Sequence, residues 1–490
     1  MLKKALLFLA AVMFVFGSTT ALAEVGSGKV QAKSGDVDWN MFGSLKTYPH
    51  FMDNADFNDD NTDMDWLLDE NGIIDDDHTT VRTEARWGFS AEGKNFTAMM
   101  ILEGDFSLSK GNTDRGTRGG TAYEDSGFSG EDFGIEKLEF TYDFSDYGAP
   151  MTVETGWQTK FLDYQSGGLL YGDDHPYIGL KGKTGDISWE ALTMFIFDKV
   201  DDAGPLGGED NLDWNAYTLK ADFPVPVGEM HFSPFYCFSD NKEAEADVHY
   251  FGMETYGKIG KLIPRAEVVY AYGDKDCDWT SDHDADIRAY AAYASVEANI
   301  SSLINPYIGG QIMSGDDDAY DDDIDAYNPI TNISRYTPTF GMENAFIYRM
   351  VPALGSHLYA NDFSMLGNKL NDRYTGNGYG GISNSSSRNS PGMISMGLGC
   401  KGSYKKFDYK TQLQYFLMED EGALEDIYGT SIDDEMGWEY DLQLTYNFTK
   451  HFSIGNVISL FDPGDGIEDM YGDDYDDLAW LDTVEFKWSF

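Results

Sequence analysis

Residues 79–91 read TTVRTEARWGFSA, residues 92–95 EGKN and residues 96–108 FTAMMILEGDFSL. Val81, Ala85, Trp87 and Phe89 fall on one side of the first segment, with Arg82, Glu84, Arg86 and Ser90 on the other. In the second, Phe96, Ala98, Met100, Leu102, Phe106 and Leu108 oppose Thr97, Glu103, Asp105 and Ser107. A period of two places successive side chains on opposite faces of a strand, so each segment is a strand with one apolar and one wet face. EGKN is the tight turn between them. The pattern recurs over 151–161, 187–197, 262–272, 407–417, 436–448 and 480–490.

Where the apolar face goes decides the fold. Strands of a soluble sandwich are usually about 5–6 residues long. These run near twice that, matching the roughly 9–11 tilted residues needed to cross a bilayer. Aromatics sit near the strand ends, as at Tyr142 and Phe144, Tyr446 and Phe448, and Trp488 and Phe490. Such girdles mark both interfaces of a membrane barrel. Lipid offers nothing to an unpaired sheet edge, so strands there must close on themselves. A soluble β-rich secreted protein is the alternative.

Targeting signals and composition agree. Lys3 and Lys4 precede the apolar run Ala5 to Phe16, and Ala21-Leu22-Ala23 forms a small-residue cleavage site, so residues 1–23 read as a secretory signal peptide. The run is too short for an uncleaved spanning anchor. Cleavage leaves 32 basic against 85 acidic residues, a charge of −53. That acidity excludes a nucleic-acid partner, which needs basic patches to bind phosphate. The 72 aromatics exclude a solvated coil. Cys237, Cys277 and Cys400 lack metal-site spacing.

Connections alternate in length. Short links at 92–95, 145–150, 184–186, 224–228, 259–261, 403–406 and 449–451 separate long acidic stretches at 48–78, 109–133, 199–212, 274–285, 316–337, 419–435 and 462–478. Short turns at one end and long loops at the other fit a barrel. Residues 24–490 are therefore expected to form one domain, an all-β closed antiparallel transmembrane β-barrel. Eighteen strands follow if 316–391 is a single excursion, and twenty if Thr339–Met350 and His357–Leu366 form another hairpin; the range is 16–20.

Together the signal peptide, the alternating strands and the terminal Val484-Glu485-Phe486-Lys487-Trp488-Ser489-Phe490 resemble Gram-negative outer-membrane porins. Composition and loop style are similar to the homotrimeric porins of sulfate-reducing and related anaerobic bacteria. The resemblance implies a water-filled channel for passive diffusion of small hydrophilic solutes and ions, a homotrimer in the bacterial outer membrane, and contact with outer-membrane lipid and lipopolysaccharide. It also implies that Trp488 and Phe490 belong to the signal read by barrel-assembly machinery. General porins fold their third external loop into the pore, often around Pro-Glu-Phe-Gly-Gly-Asp. Here that loop is Tyr164 to His175 (YQSGGLLYGDDH), which keeps Gly167-Gly168 and Asp173-Asp174 but lacks the motif.

Parity with the lipid face puts Arg82, Glu84, Arg86, Glu103, Asp105, Glu139, Glu154, Lys160, Arg265 and Glu267 inside, and Arg288 with them although its strand alternates weakly. Arg or Lys on the lipid face would cost about 2–4 kcal/mol at the midplane, so charges are expected to avoid it. Arg82, Arg86, Lys160 and Arg265 are expected to oppose Asp173 and Asp174 at a constriction, since facing charges set up a field across a narrow lumen. Residues 316–325 (DDDAYDDDID) and 473–477 (DDYDD) read as solvated surface acids giving modest cation selectivity. They do not follow the calcium-loop pattern.

Enzyme motifs fail on context. Gly182-Lys183-Thr184 ends like a phosphate loop, but Tyr177 stands where its first glycine belongs. Gly376, Gly378 and Gly381 lead into a Ser/Asn-rich stretch, not a helix. The sequence holds no G-x-S-x-G, no H-E-x-x-H and no C-x-x-C-H. No enzyme, metal or cofactor is expected. A sleeve for a porin–cytochrome conduit and a surface adhesin are the alternatives to a diffusion porin.

Overall fold

The alternating segments pair edge to edge into one closed antiparallel sheet. In the computed structural model, described over residues 30–54, 57, 78–107, 133–197, 200–202, 209–211, 213–242, 244–276, 284–330, 337–342 and 390–490, eighteen strands form the wall. They begin with β1 Val37–Asp53, β2 His78–Glu92, β3 Phe96–Ser107, β4 Phe133–Asp143, β5 Met151–Phe161 and β6 Gly172–Thr184. Next come β7 Ile187–Phe197, β8 Trp214–Val225, β9 Met230–Asn241, β10 Ala246–Tyr256, β11 Leu262–Asp276 and β12 Asp284–Ala298. The wall finishes with β13 Asn305–Met313, β14 Met393–Tyr404, β15 Phe407–Leu417, β16 Glu435–Thr449, β17 Phe452–Pro463 and β18 Ala479–Ser489. Two short segments, Val30–Ser34 and Asp323–Ile324, pair onto the wall without extending its circuit. Direct pairing of β13 with β14 makes 314–392 one excursion, the eighteen-strand arrangement. The expected signal peptide lies outside the described residues.

β18 closes the circuit on β1, from Ser44 opposite Ser489 to Asp53 opposite Trp480. Phe490 then donates its amide to the Gly43 carbonyl at 3.0 Å and accepts from the Gly43 amide at 3.1 Å. Position 43 has to be glycine, because a Cβ there would stand 2.6 Å from the Phe490 ring.

The apolar stripes face outward. Leu219, Ile308 and Leu398 are 60%, 57% and 55% exposed, whereas their inward neighbours Thr218 and Tyr307 are buried. A soluble sandwich would reverse this. At the short-turn end one aromatic chain runs Phe407–Tyr446–Phe448–Phe452–Trp488, with centroid spacings of 4.6 to 5.3 Å. At the long-loop end Tyr415 packs on Trp438 at 4.2 Å and Phe238 on His249 at 4.8 Å. The protein is a membrane barrel of the bacterial outer-membrane kind.

The interior departs from the simple expectation of a wet inner face. Leu192 and Met194 of β7, Val248 and Tyr250 of β10, and Ile287 and Ala289 of β12 point inward into one buried cluster with Leu169, Leu170, Tyr327 and Ile330 from the loops. Both faces of these strands are apolar because connections fold back into the barrel and pack there. The acidic loops also hold two short helices, α1 Gly422–Tyr428 and α2 Asp465–Tyr471.

Candidate functional site: the barrel lumen

Inward positions of β1 to β4 hold the first ion-pair group. Arg86 bonds Glu84 beside it, Glu103 at 2.6 Å and Glu136 at 2.7 Å, while Lys46 lies 3.2 Å from Glu84. A second group continues over β4 to β6. Lys160 contacts Glu154 at 2.7 Å and Glu139 at 3.8 Å, with its ammonium 4.1 Å from the Tyr177 ring centroid. Lys181 completes Glu154 at 2.6 Å, and the Tyr177 hydroxyl donates to Glu139 at 2.6 Å. Beyond β11, Glu297 takes Lys401 at 2.8 Å and Arg265 at 3.7 Å. Both signs recur around the inner wall. Removing one member of such a pair costs more than the pair itself contributes, because a charge is left without its partner.

Between these groups the third external loop, residues 162–171, enters the lumen. Glu267 of β11 accepts there from the Ser166 hydroxyl at 2.8 Å, the Gly167 amide at 2.8 Å, the Gly168 amide at 3.0 Å and the Leu169 amide at 3.4 Å. Lys220 of β8 donates to the Leu162 carbonyl and to Glu254, each at 2.5 Å, and Glu254 also accepts from Ser166 at 3.0 Å. Inside the loop Asp163 accepts from the Leu170 amide at 2.6 Å and the Tyr171 amide at 3.3 Å. Gly168 sits at φ +65°, which lets three successive amides converge on one carboxylate. A side chain at Gly167 would meet Tyr293 at 2.8 Å.

A second segment locks the first. The Tyr327 hydroxyl donates to the Leu169 carbonyl at 3.1 Å, the Ile330 amide to the Leu170 carbonyl at 3.1 Å, and the Tyr250 hydroxyl to the Asn328 carbonyl at 2.9 Å. Further along, Lys410 donates to the Gly341 carbonyl at 2.6 Å and Gln412 to the Phe340 carbonyl at 3.1 Å. Phe340 packs edge-on against Tyr307 at 5.8 Å.

Several expected site residues meet here. Glu84, Arg86 and Glu103 share one group, Glu154 and Lys160 another, and Arg265 reaches Glu297. Arg82 pairs in the ladder with Tyr48 and Ser107; its side chain lies outside the described ones. Asp173 and Asp174 are not loop residues, because β6 begins at Gly172; Asp173 pairs with Lys160 in the inward row, whereas Asp174 pairs with Thr159 in the outward row of Trp157 and Ile178, so position 174 does not belong to the expected constriction. Arg288 requires a correction. It is the cross-strand partner of Tyr272, which is 53% exposed, so it lies on the outer side at the loop rim, bonded to Asp286 and 3.3 Å from Asp323. Its strand misled because Ala285, Ile287, Ala289 and Ala291 face inward onto packed loops rather than water. Lys46, Lys220, Glu254 and Lys410 were missed, though their lone charges at alternate strand positions carried the same parity signal.

The acid run is partly built into the structure. Burial and then the neighbouring Asp318, Asp323 and Asp317 push the Asp321 carboxyl up to about 6, and burial also raises Asp325. At the short-turn end, Lys94 and Asn95 hold the Asp146 carboxyl below its usual range by hydrogen bonding. No cluster of metal-ligating side chains occurs among the described residues.

No protein-family model and no curated protein matches the sequence. Solved structures do. Pseudomonas aeruginosa OccK9 (OpdG) aligns over 92% of this chain and 98% of its own, with a TM-score of 0.51 and 11% identity. The chain has the fold of an outer-membrane porin. Pseudomonas aeruginosa OccK8 (OprE) and Acinetobacter baumannii OccAB2 each align over 92% of this chain and 98% of theirs, with TM-scores of 0.50 and 10% identity. At such identity the porin likeness is one of fold.

Proposed function

We propose that the chain is a passive channel for small hydrophilic solutes and ions, with a modest preference for cations. The observation that supports this reading is the succession of fixed charges of both signs on the inner wall of a closed eighteen-strand barrel, a lining that suits a watery path. Arg82, Glu84, Arg86, Glu103, Glu154, Lys160 and Arg265 line that path, with Asp173 at the start of β6 opposite Lys160; Asp174, opposite Thr159 in the outward row of Trp157 and Ile178, is not part of it. Residues 162–171 narrow it. Acidic loops concentrate cations at the mouth. The resemblance to homotrimeric porins supports assembly as a trimer in contact with lipopolysaccharide. Reconstitution in a planar bilayer tests the reading: stepwise conductance with a cation-directed reversal potential in a salt gradient is expected.

A second reading is favoured by the loops packed within the lumen. If 162–171, 326–330 and 337–340 seal the path, the barrel is a sleeve or a surface-binding scaffold, and the bilayer stays silent.

A further inference from the structure

Away from the loop rim, one acid among the described residues breaks the rule that charges avoid the lipid face. On β18 the outward positions are Trp480, Asp482, Val484, Phe486 and Trp488, since Leu481 and Thr483 are buried inside. Asp482 pairs across the ladder with Phe51 of β1 and Ile458 of β17, both outward. It stands two residues below Trp480 of the loop-end girdle, whose indole donates to Asp53 at 2.5 Å, and six above Trp488. At ~3.3 Å per residue along a tilted strand, that depth is inside the hydrocarbon layer. Its partner is Asn456, outward on β17, whose amide bonds Asp482 and also donates to the Thr483 carbonyl at 3.2 Å.

Around Asp482 the outward neighbours are Trp480, Val484, Phe51 and Ile458. Four residues nearer the short-turn end, at the level of Phe486, the same face carries the Thr47 and Thr83 hydroxyls 3.4 Å apart, with Thr83 only 4% exposed. About a quarter of the way round the wall, β13 and β14 carry an apolar face of Ile308, Met396 and Leu398. Acyl chains offer no donor to a carboxylate and gain nothing from small side chains, whereas a second protein wall gains from both.

We propose that the outer face of β17, β18, β1 and β2 is where two copies of this chain meet, with Asp482 and Asn456 sealed from lipid by the second copy. This rests on the assembly reading above and names its face. It does not depend on conduction. Asp482 and Asn456 near the loop end and Thr47 and Thr83 further down put donors and acceptors on this one face, so one copy can satisfy the other.

The test uses the full mature chain in mild detergent and in vesicles. Native mass is measured for the wild type and for Asp482→Leu, with heat-modifiable gel migration showing that each barrel is folded. Separately, Val484→Cys and Leu398→Cys, each in a background lacking Cys277 and Cys400, are treated with a short bis-maleimide. An oligomeric wild type, at least tenfold less oligomer in Asp482→Leu, and cross-linking at 484 at least tenfold above that at 398 are expected. A monomeric wild type overturns the assembly reading and the interface together. An oligomer that survives Asp482→Leu and cross-links at 398 overturns the interface alone. If Asp482→Leu does not fold, the cross-linking pair decides by itself.

Discussion

Glu267 shows how much one carboxylate organises, since it accepts from a hydroxyl and three loop amides at once. Glutamine there turns two of its lone-pair sites into an N–H₂ group aimed at amide donors. Hydrogen bonds to a charged group contribute about 1.5–3 kcal/mol each, and buried donors left unmatched add to the loss. Glu267→Gln is expected to destabilise the barrel by roughly 3 kcal/mol in urea and to speed hydrogen exchange at Gly167 to Leu169. Unchanged exchange there would mean that packing, not this carboxylate, holds the loop. Asp321 gives a pH prediction of definite sign. Its folded value near 6 lies above the ordinary 3.8, so the folded loop binds the proton more tightly than the unfolded one. Stability is gained as pH falls through about 6 and lost as it rises. Amides of 316–325, with their base-catalysed intrinsic exchange divided out, are expected to be better protected at pH 5 than at pH 7.5, and Asp321→Asn should abolish that difference in protection.

At the scale of the strand, outward and inward positions answer to different solvents. Leu219 is mid-strand on β8 and 60% exposed, between Ala191 and Tyr236. Leu219→Arg should cost about 2–4 kcal/mol in equilibrium folding into lipid vesicles. A cost below 1 kcal/mol would mean that this face does not touch acyl chains. We propose a second task for β18 besides closure, as a signal for assembly machinery. Phe490, directly after it, is fixed to Gly43 by a reciprocal pair of backbone bonds, with the ring over the glycine. Phe490→Ser leaves the backbone bonds possible but removes the ring, and lower yield of heat-modifiable barrel in cells with unchanged refolding in detergent is expected. Equal losses in both settings would assign Phe490 to stability rather than to recognition by assembly machinery.

For the whole molecule the dominant quantity is charge. Acids outnumber bases 85 to 34, and much of the excess lies in the long connections. If mouth acids set the cation preference, it should fade with salt, since the screening length falls from about 10 Å at 0.1 M to about 3 Å at 1 M. A reversal potential that keeps its selectivity at 1 M would place the selecting charges inside the lumen, among Glu84, Glu103 and Glu154. Strand number, wall direction and the closing strand were legible in the sequence, because period-two alternation is a local signal and lipid enforces it on every strand. The alternation of 79–91 and 96–108 alone carried most of that. Arg288 was misplaced where the local signal vanished: in DADIRAYAAYA, the run 284–294, both faces are small or apolar.

What the sequence determined by itself is that strands of membrane length face lipid on one side and must close, since side-chain polarity and backbone hydrogen bonding are satisfied residue by residue. What only the tertiary structure decided is what lies inside. Ser166-Gly167-Gly168 and Glu267 are a hundred residues apart and carry no mutual signal until the barrel brings them together. Tyr327 and Leu169 are likewise joined only across the lumen. Loop folding depends on shape and on donors meeting acceptors at a distance, and alternation along a strand holds no record of either.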